Sequence, residues 1–463
     1  MGGDVLMDIE ADLLVIGGGM AGLVAGIVAA EGGLETVLVR KGQSATAYSS
    51  GAIDVIGYLP EASEPFITPE EGLTAIAGLY PLHPYSVVGY AENVTPEKVV
   101  DAVVERSRES VNWLRNHLDG TIATLVGDFS TNILPITILG TTKPTCLIQK
   151  TMDPGDVQER EDSTLLFAGI MGHPDFYPAS AAKTYLEDRI AFGLPSRKVA
   201  HCTIQVAPFG NSVNVSGIEI ARHLDHDEAL DDLAEQLKEH VDKVGATHVA
   251  LPPILGLKNA VRNQTNLKQE IGADVFELLG FPPSVPGLRL QLALERIFRK
   301  AGGRLLIGHE VISFLKKDDQ LKHVTGRAPQ REIKINAKAY VLATGKFIGN
   351  GLVGDERGIR ETIFGLMTVT GSYYSAGDTL PSKATNRVSI TSEGQPIYST
   401  GLTVDPQFRP IQEDGVEWVK NLFAAGSVLA GYNYSVEKSG LGVAVTSGFS
   451  AAMSAISYVK EVP

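Results

Sequence analysis

The most constraining feature of the sequence is a glycine triplet that directly follows a run of branched apolar residues. Residues 13–16 predict a buried strand, and the alanine-rich stretch after Gly19 predicts a helix. The spacing Gly17-x-Gly19-x-x-Gly22 fits the fingerprint in which glycines form a tight turn, admit a diphosphate and pack helix on strand. With Ala21, these glycines are predicted to contact a cofactor phosphate at the positive end of the helix dipole.

The end of the next strand departs from this fingerprint. Residues 36–39 predict a second parallel strand that closes the β-α-β unit. An acidic residue normally holds the adenosine ribose here, but the sequence reads Arg40-Lys41-Gly42. Three cofactors remain open: FAD with its adenosine held in another way, FMN with the basic pair near its terminal phosphate, or NADP with Arg40 on the 2′-phosphate. Further predicted cofactor contacts in the loop that follows are Ser49, Ser50 and Gly51.

Length and charge exclude several classes of function. At 463 residues the chain exceeds the size of a single hydrophobic core, so at least two domains are expected. The 40 basic and 54 acidic residues give a net charge of −14, which disfavours nucleic acid as a partner. The longest uncharged apolar stretch falls short of the ~20 residues of a membrane-spanning helix. The N-terminal residues are acidic rather than basic, which argues against a secretory signal and predicts a cytoplasmic location.

Metal sites are not predicted. Cys146 and Cys202 lie far apart and outside any Cys-x-x-Cys pattern, so an iron–sulfur cluster would have to belong to a partner. His223 and His226 stand in an acidic run that is typical of a solvated surface. The sequence also lacks a Gly-x-Ser-x-Gly elbow and a Walker-type loop, which disfavours hydrolase and nucleotide-phosphate chemistry.

The strand–turn–helix pattern recurs at the C-terminus, and a different region lies between. Residues 60–285 are rich in proline and carry amphipathic helices at 97–117 and 227–244, as an inserted domain would. A long helix, an antiparallel meander and a buried strand follow. Predicted cofactor contacts in this strand end and in the C-terminal turn are Ala343, Thr344, Gly345, Gly426, Ser427, Gly440, Leu441 and Gly442.

This order of elements resembles the large family of flavin oxidoreductases of the two-dinucleotide-binding type. The resemblance implies an α/β fold: a discontinuous Rossmann-like flavin-binding domain with an antiparallel β-meander (residues 1–65, 286–348 and 398–463). It also implies an inserted α+β cap domain (residues 66–285 and 349–397). In this family the last glycine-rich turn directs backbone N–H groups toward the flavin, where they stabilise negative charge on the reduced ring. A nicotinamide domain leaves that turn unexplained, so NADP ranks below both flavins.

Longer stretches sharpen the resemblance. The segments "RKGQSATAYSSGAIDVIGYLP", "FPPSVPGLRLQLALERIFRKAGG" and "LATGKFIGNGLVGDERGIRETIFGL" resemble the B subunits of anaerobic glycerol-3-phosphate dehydrogenase complexes. That family implies FMN as cofactor and oxidation of glycerol 3-phosphate to dihydroxyacetone phosphate. It also implies a catalytic A subunit and an iron–sulfur C subunit that takes electrons to membrane quinone, which would place the chain at the inner face of the cell membrane.

Two other functions remain open. One is a stand-alone flavin dehydrogenase or reductase similar to the succinate/fumarate group. The other is a non-catalytic flavin relay that works only within a complex. Turnover of succinate or fumarate by the lone chain would favour the first, and bound flavin without any turnover would favour the second.

Three residues are candidates for catalysis. Arg357 and Arg360 are three apart and are predicted to share one side of a helical turn, where two guanidiniums clamp a phosphate or carboxylate. The alternative is a surface network with Asp355, Glu356 and Glu361. His83 titrates near neutrality and is a candidate proton donor or acceptor near the flavin, whereas the alternative is a hydrogen-bonded loop histidine.

Overall fold

The computed structural model describes residues 7–60, 62–90, 94–153, 155, 163–209, 212–329, 331–372, 375–377, 380–389 and 391–461. Its strands are β1 (Met7–Ile16), β2 (Thr36–Arg40), β3 (Leu125–Val126), β4 (Ile148–Gln149), β5 (Thr164–Ile170), β6 (Lys198–Ile204), β7 (His248–Leu251), β8 (Asp274–Glu277), β9 (Arg304–Ile307), β10 (Glu310–Lys317), β11 (Gln320–Ala328), β12 (Arg331–Leu342), β13 (Leu352–Asp355), β14 (Gly358–Glu361), β15 (Thr370–Ser372), β16 (Ser375–Gly377) and β17 (Leu422–Ala424). Its helices are α1 (Met20–Glu31), α2 (Pro69–Leu79), α3 (Pro84–Tyr90), α4 (Val99–Leu118), α5 (Pro178–Ala191), α6 (Gly217–His223), α7 (Asp227–Val244), α8 (Ala260–Ile271), α9 (Val285–Lys300), α10 (Tyr434–Glu437) and α11 (Gly440–Glu461).

The chain folds into two compact units. The first contains the chain up to Ala45, the segment Asp54–His117 and the chain from Leu294 onward. The second contains Thr46–Ile53 and Leu118–Ala293. Residues 66–117 and 349–397, which the sequence patterns assign to the cap, therefore group with the first unit. One cause is that α4 lies against α11, where the Ser110 and Thr446 hydroxyls are 3.0 Å apart.

The first unit is built on a seven-stranded sheet. Its strand order is β10-β11-β12-β1-β2-β9, and β17 pairs with β12. Strand β1 runs parallel to β12 and β2, and β17 runs parallel to β12. Strands β10, β11 and β12 form the predicted antiparallel meander. Because β1 and β17 flank β12 on its two sides, the two ends of the chain share one sheet, which confirms the predicted discontinuous Rossmann-like fold.

Two apolar helices, α1 and α11, pack against each other in this unit. A Cβ atom added at Gly448 would lie 2.5 Å from the carbonyl oxygen of Ala21, so the glycine permits a close approach of the two backbones. By length and composition α11 is the one helix of the described residues that could cross a membrane. However, 72% of its most apolar window is buried inside the protein, as in the core helix of a globular domain.

The second unit contains a four-stranded parallel sheet with the order β6-β5-β7-β8. Helices α5 to α8 connect its strands, as expected because parallel neighbours require crossover connections. Helix α7 has the bounds predicted from the sequence and ends at Gly245, whose φ of 65° is the left-handed cap conformation. Strand β7 ends where predicted, directly before Pro252.

Candidate functional site

The turn after β1 has the geometry that the glycine pattern predicts. Gly17 has φ +116°, and an added Cβ atom there would lie 2.2 Å from the carbonyl oxygen of Ala343. A Cβ atom at Gly22 would lie 1.9 Å from the carbonyl oxygen of Gly17. Neither position accommodates a side chain, so the glycines bring the turn, α1 and the end of β12 into direct contact.

The N-terminus of α1 is suited to an anion. Gly19 precedes the helix in an extended conformation with no side-chain cap, and the first turn of the helix carries no acidic residue. The positive end of the helix dipole is therefore not neutralised by a local carboxylate. A phosphate group fits this position, although contact of Gly17, Gly19, Ala21 and Gly22 with a cofactor stays a prediction.

The C-terminal glycine turn meets the same region. Gly426 has φ +79°, and its backbone N–H donates to the Ser447 hydroxyl at 2.9 Å. A Cβ atom at Gly426 would lie 2.6 Å from the Ala21 methyl carbon. A Cβ atom at Gly345 would lie 3.4 Å from the Ser427 hydroxyl oxygen. The structure therefore brings the predicted contacts of β12 and of the C-terminal turn next to α1.

Thr344 carries an unsatisfied polar atom at this junction. Its hydroxyl oxygen is buried and has no hydrogen-bond partner among the described residues. Such a group is costly in a folded protein unless something else satisfies it. A bound polar group beside Thr344 would remove this cost, and the residues present therefore fit a cofactor with phosphate and ring oxygens.

The start of α11 is held against the segment that begins at Asp54. The N–H of Gly442 donates to the carbonyl oxygen of Asp54 at 2.8 Å. An added Cβ at Gly442 would lie 2.5 Å from that same oxygen, so this glycine serves close packing. Gly440 and Leu441 are partly exposed. Flavin contact by all three residues stays a prediction.

The basic residues at the end of β2 are already paired. Arg40 lies 2.9 Å from the Glu295 carboxylate of α9, and their side chains are 12% and 5% exposed. Arg40 also donates to the carbonyl oxygen of Gly42 at 2.8 Å. Lys41 lies 2.8 Å from the Glu310 carboxylate, in an exposed pair. An acidic side chain does lie at this strand end, but it comes from α9 and is paired with Arg40, a contact that the β2 sequence could not reveal.

Ser49, Ser50 and Gly51 belong to the second unit and pack within it. Gly51 has φ +78°, and a Cβ atom there would lie 2.6 Å from the Gln149 amide nitrogen. The Ser49 hydroxyl donates to the carbonyl oxygen of Thr46 at 2.7 Å. These contacts explain the small residues by close packing, and their predicted cofactor role remains untested.

The helical turn predicted for Arg357 and Arg360 is wrong. Both residues lie on the exposed hairpin of β13 and β14, whose turn contains Arg357 and is followed by Gly358 with φ +131°. Arg360 pairs with the Asp355 carboxylate at 2.6 Å, and this pairing with its hydrogen bonds lowers the pKa of Asp355. A glycine with positive φ favours a tight turn over a helix, a local signal that the i, i+3 spacing obscured.

His83 is buried in the first unit, in the bend directly before α3, and both of its ring nitrogens have hydrogen-bond partners, as in the alternative of a hydrogen-bonded loop histidine. Its Nε2 is 3.2 Å from the Glu437 carboxylate, and both side chains are fully buried. The N–H of Tyr85 donates to His83 Nδ1 at 3.0 Å, so in the neutral ring Nε2 carries the proton. The sequence singled out His83 but missed Glu437.

Glu437 organises the turn that leads into α11. Its carboxylate accepts hydrogen bonds from the backbone N–H of Asn433 and from the Ser439 hydroxyl, each at 2.7 Å. Its carbonyl oxygen accepts from the N–H groups of Gly57 and Tyr58. A single residue thereby fixes the segment just before the predicted flavin contacts of α11.

A buried lysine directly follows Thr344 and Gly345. Lys346 donates through Nζ to the carbonyl oxygen of Tyr398, and Nζ lies 5.1 Å from the centroid of the Tyr432 ring. Burial lowers the pKa of Lys346 to about 7, and the charge of Glu437 opposes that shift. Burial also raises the pKa of Tyr432, whose hydroxyl has no partner among the described residues.

Potential metal ligands do not cluster in the described part of the chain: no three of its His, Cys, Asp or Glu side chains form such a group. In the acidic run near His223, the Asp225 carboxylate accepts backbone N–H groups of Lys258 and Asn259 at 3.0 Å. Asp225 thus holds the start of α8, and His223 packs edge-on against Phe209.

Comparison with known proteins gives a family and full-length relatives. The model of the FAD binding domain family matches residues 12–443. The B subunit of anaerobic glycerol-3-phosphate dehydrogenase from Vibrio vulnificus strain CMCP6 is 32% identical over 96% of both chains. Its counterpart from Aliivibrio fischeri strain ES114 is 30% identical over 97% of this chain and 96% of its own. Among solved structures, FrdA of E. coli quinol fumarate reductase aligns with TM-score 0.43 and 12% identity over 99% of this chain and 72% of that one.

Proposed function

The chain belongs to the FAD-binding domain family and to the family of anaerobic glycerol-3-phosphate dehydrogenase B subunits, and on that premise we propose its reaction. It oxidises glycerol 3-phosphate to dihydroxyacetone phosphate with a bound flavin. The electrons pass to an iron–sulfur partner and then toward quinone, and the chain works at the inner face of the cell membrane through that partner. At the coarser level it is a flavin-dependent oxidoreductase.

The observation that carries the proposal is the extent of the match to the B subunits. The alignments at 30% and 32% identity cover at least 96% of this chain and 96% of each relative. Both relatives are named as one lettered subunit of a dehydrogenase, which supports a chain that acts within a larger assembly. A catalytic A subunit and an iron–sulfur C subunit are the partners we propose.

We propose FAD rather than FMN as the bound form. The family match favours FAD, and the Gly17-x-Gly19-x-x-Gly22 fingerprint is suited to a diphosphate, which FMN lacks. Arg40 and Lys41, which the FMN interpretation assigned to a terminal phosphate, are each engaged by a carboxylate. The FMN implied by the sequence resemblance is therefore not our preferred cofactor.

Residues of three segments would hold the flavin. The N-terminus of α1 would face the diphosphate, the unsatisfied Thr344 hydroxyl would hydrogen-bond to the cofactor, and the turns at Gly426 and Gly440 would flank the ring. When bound, the flavin supplies the acceptor for two electrons that it can release one at a time. The chain itself would position the flavin, exclude water and accept the hydroxyl proton of the substrate.

The test has two steps. Acid release of the cofactor from purified protein, followed by mass spectrometry, distinguishes FAD from FMN. Anaerobic addition of glycerol 3-phosphate to the full chain, alone and together with its partner subunits, is then followed by loss of the yellow flavin absorbance. Bleaching by glycerol 3-phosphate but not by succinate is expected.

The naming of the relatives as B subunits also favours a second candidate function, a flavin relay. In that case glycerol 3-phosphate would bleach the flavin only after the catalytic partner is added. Bleaching of the lone chain would rule out this candidate.

A further inference from the structure

A buried polar group of side chains, which we call the lysine cluster, lies beside the predicted flavin turns. It consists of the side chains of Lys346, Tyr432, Glu437 and His83 together with the backbone carbonyl of Tyr398, all from the first unit. Lys346 is the residue after the Thr344–Gly345 turn, and Glu437 precedes α11. The cluster therefore joins the two segments that the glycine patterns assign to the cofactor.

The lysine cluster retains unused hydrogen-bonding capacity. An ammonium group has three donors, and Lys346 has one acceptor among the described residues, the Tyr398 carbonyl oxygen. The Tyr432 side chain is fully buried and its hydroxyl has no partner there. Leaving such buried donors unpaired destabilises the folded protein. A purely structural cation would be expected to use its donors, so this arrangement suits a ligand oxygen.

We propose that Lys346 is the base that receives the hydroxyl proton of a secondary-alcohol substrate, and that the Tyr432 hydroxyl donates a hydrogen bond to the same substrate. This inference rests on the proposed oxidation of glycerol 3-phosphate. In that oxidation the O–H and C–H bonds of the carbinol break and a C=O bond forms. The O–H proton goes to Nζ of Lys346, and the C–H hydrogen leaves with its electron pair to the flavin.

The surroundings of Lys346 suit this role. Only a neutral amine accepts a proton, and burial lowers the pKa of Lys346 to about 7, so a large share is neutral near neutral pH. The charged or titratable groups around it are Glu437, whose charge acts on Lys346, the Tyr432 phenol, and His83, which contacts both Glu437 and Tyr432. Burial raises the pKa of Tyr432, which stays protonated and acts as a donor.

Glu437 is a positioning residue for the same step. Its negative charge stabilises the ammonium that forms, because it opposes the fall in the pKa of Lys346. His83 donates to the Glu437 carboxylate at 3.2 Å and holds it in place. Replacement of Glu437 by Gln should therefore shift the pH profile of the reaction to lower pH, in addition to any loss of rate.

The first experiment is anaerobic stopped-flow reduction of the flavin-loaded full chain by glycerol 3-phosphate, without its partner subunits, so that a catalytic partner cannot supply the electrons. Wild type is compared with Lys346→Met and with Lys383→Met, an exposed lysine of the same unit. Flavin content and unfolding temperature check that the variants fold. Lys346→Met should slow flavin reduction by about 100-fold or more, and Lys383→Met should not change it.

The pH profile and chemical rescue separate a base from a structural residue. The wild-type rate should rise as the pH increases through about 7, and Lys346→Met should lose this rise. Ethylamine added to Lys346→Ala should restore part of the rate, because it can take the missing amine's place. A variant with the wild-type rate and pH profile would overturn the assignment.

A readout without turnover is NMR of the flavin-loaded protein with ¹³C-labelled lysine. The signal that disappears in Lys346→Met should titrate near pH 7; titration above pH 9 would overturn the proposal. If glycerol 3-phosphate does not bleach wild-type flavin, the proposed function itself fails and this substrate assignment with it. If wild type is bleached and Lys346→Met is bleached equally fast, only the role of Lys346 is wrong.

Discussion

The sheets of both units contain parallel strands, but the carboxyl ends of those strands differ. In the first unit these ends lead into the glycine turns at Gly17 and Gly345 and leave the Thr344 hydroxyl unsatisfied. In the second unit β7 is followed directly by two prolines, Pro252 and Pro253. Ligands of open parallel sheets bind outside the carboxyl ends of strands. The end of β12 combines glycines that have no side chain with an unpaired hydroxyl, whereas the end of β7 has neither, so the first of these strand ends is the one suited to a ligand.

Two buried cations, Arg289 of the second unit and Lys346 of the first, differ in the same way. In the second unit Arg289 and Glu277 are fully buried and form a two-fold hydrogen-bonded pair at 2.6 and 2.9 Å. Arg289 also donates to the Gly256 carbonyl oxygen, and Glu277 accepts the N–H of Leu255. Lys346 of the first unit has a single acceptor among the described residues. A saturated buried pair is costly to break, whereas an unsaturated buried charge is available for chemistry.

The largest expected effect comes from breaking the saturated pair of the second unit. Arg289→Leu leaves the Glu277 carboxylate buried without its counter-charge, which should lower the free energy of unfolding by about 3–5 kcal/mol. Urea unfolding followed by circular dichroism measures this loss. The double variant Arg289→Leu/Glu277→Leu is the control and should regain much of it. A single variant within about 1 kcal/mol of wild type would show that the pair is not structural.

A second prediction compares two helical glycines of the first unit. Gly22→Ala places a Cβ atom 1.9 Å from the Gly17 carbonyl oxygen, whereas Gly78→Ala in α2 meets no atom within 4 Å. The resulting overpacking at Gly22 should cost about 1–3 kcal/mol. A cost of this size should weaken flavin affinity roughly 10-fold to 100-fold. Gly78→Ala should instead stabilise the protein by about 0.5–1 kcal/mol. Flavin titration checks the affinity, and thermal unfolding checks the stability. Equal flavin affinity in the two variants would contradict the predicted contact of the Gly17–Gly22 turn with the cofactor.

A third prediction concerns the pH dependence of stability. The pKa of Lys346 is about 7 in the folded chain but about 10.4 when unfolded. Between these pH values the unfolded chain binds more protons than the folded chain. The free energy of unfolding of the wild type should therefore increase, relative to that of Lys346→Met, by up to about 1.4 kcal/mol for each unit by which the pH rises. Below pH 7 both states are protonated and the difference between the two proteins levels off. Urea unfolding of both proteins at pH values from 6 to 10 measures this difference in the free energy of unfolding.

The exposed lysine variant Lys383→Met is the control for that experiment and should follow the wild-type slope. Parallel curves for wild type and Lys346→Met would mean that Lys346 is an ordinary solvated amine. That result would also remove the contrast between the buried charges of the two units.

The smallest effect is expected on the β13–β14 hairpin. Arg360→Ala breaks an exposed pair with Asp355 and should change stability by less than about 1 kcal/mol. Because Arg360 already has this partner, KM for glycerol 3-phosphate should not change, and Arg357→Ala should behave alike. A severalfold rise in KM in either variant would restore the phosphate clamp suggested by the sequence.

Much of the architecture was readable from local patterns. The glycine turn at Gly17, the helix Asp227–Val244 and the end of β7 before Pro252 occur where predicted. The i, i+3 spacing of Arg357 and Arg360 predicts a helical turn, but the structure has a hairpin there, because Gly358 adopts a positive φ that favours a tight turn. Fold class was accessible because strand and helix periodicity are repeated over many residues.

The sequence by itself determined the local elements, since the φ angles open to glycine and proline and the periodicity of apolar residues act within a few positions of the chain. Only the tertiary structure decided which charges meet. Arg40 and Glu295, or His83 and Glu437, lie hundreds of residues apart and come together because sheet order and helix packing place them there. Burial, which sets the protonation of Lys346, is likewise a property of the whole fold.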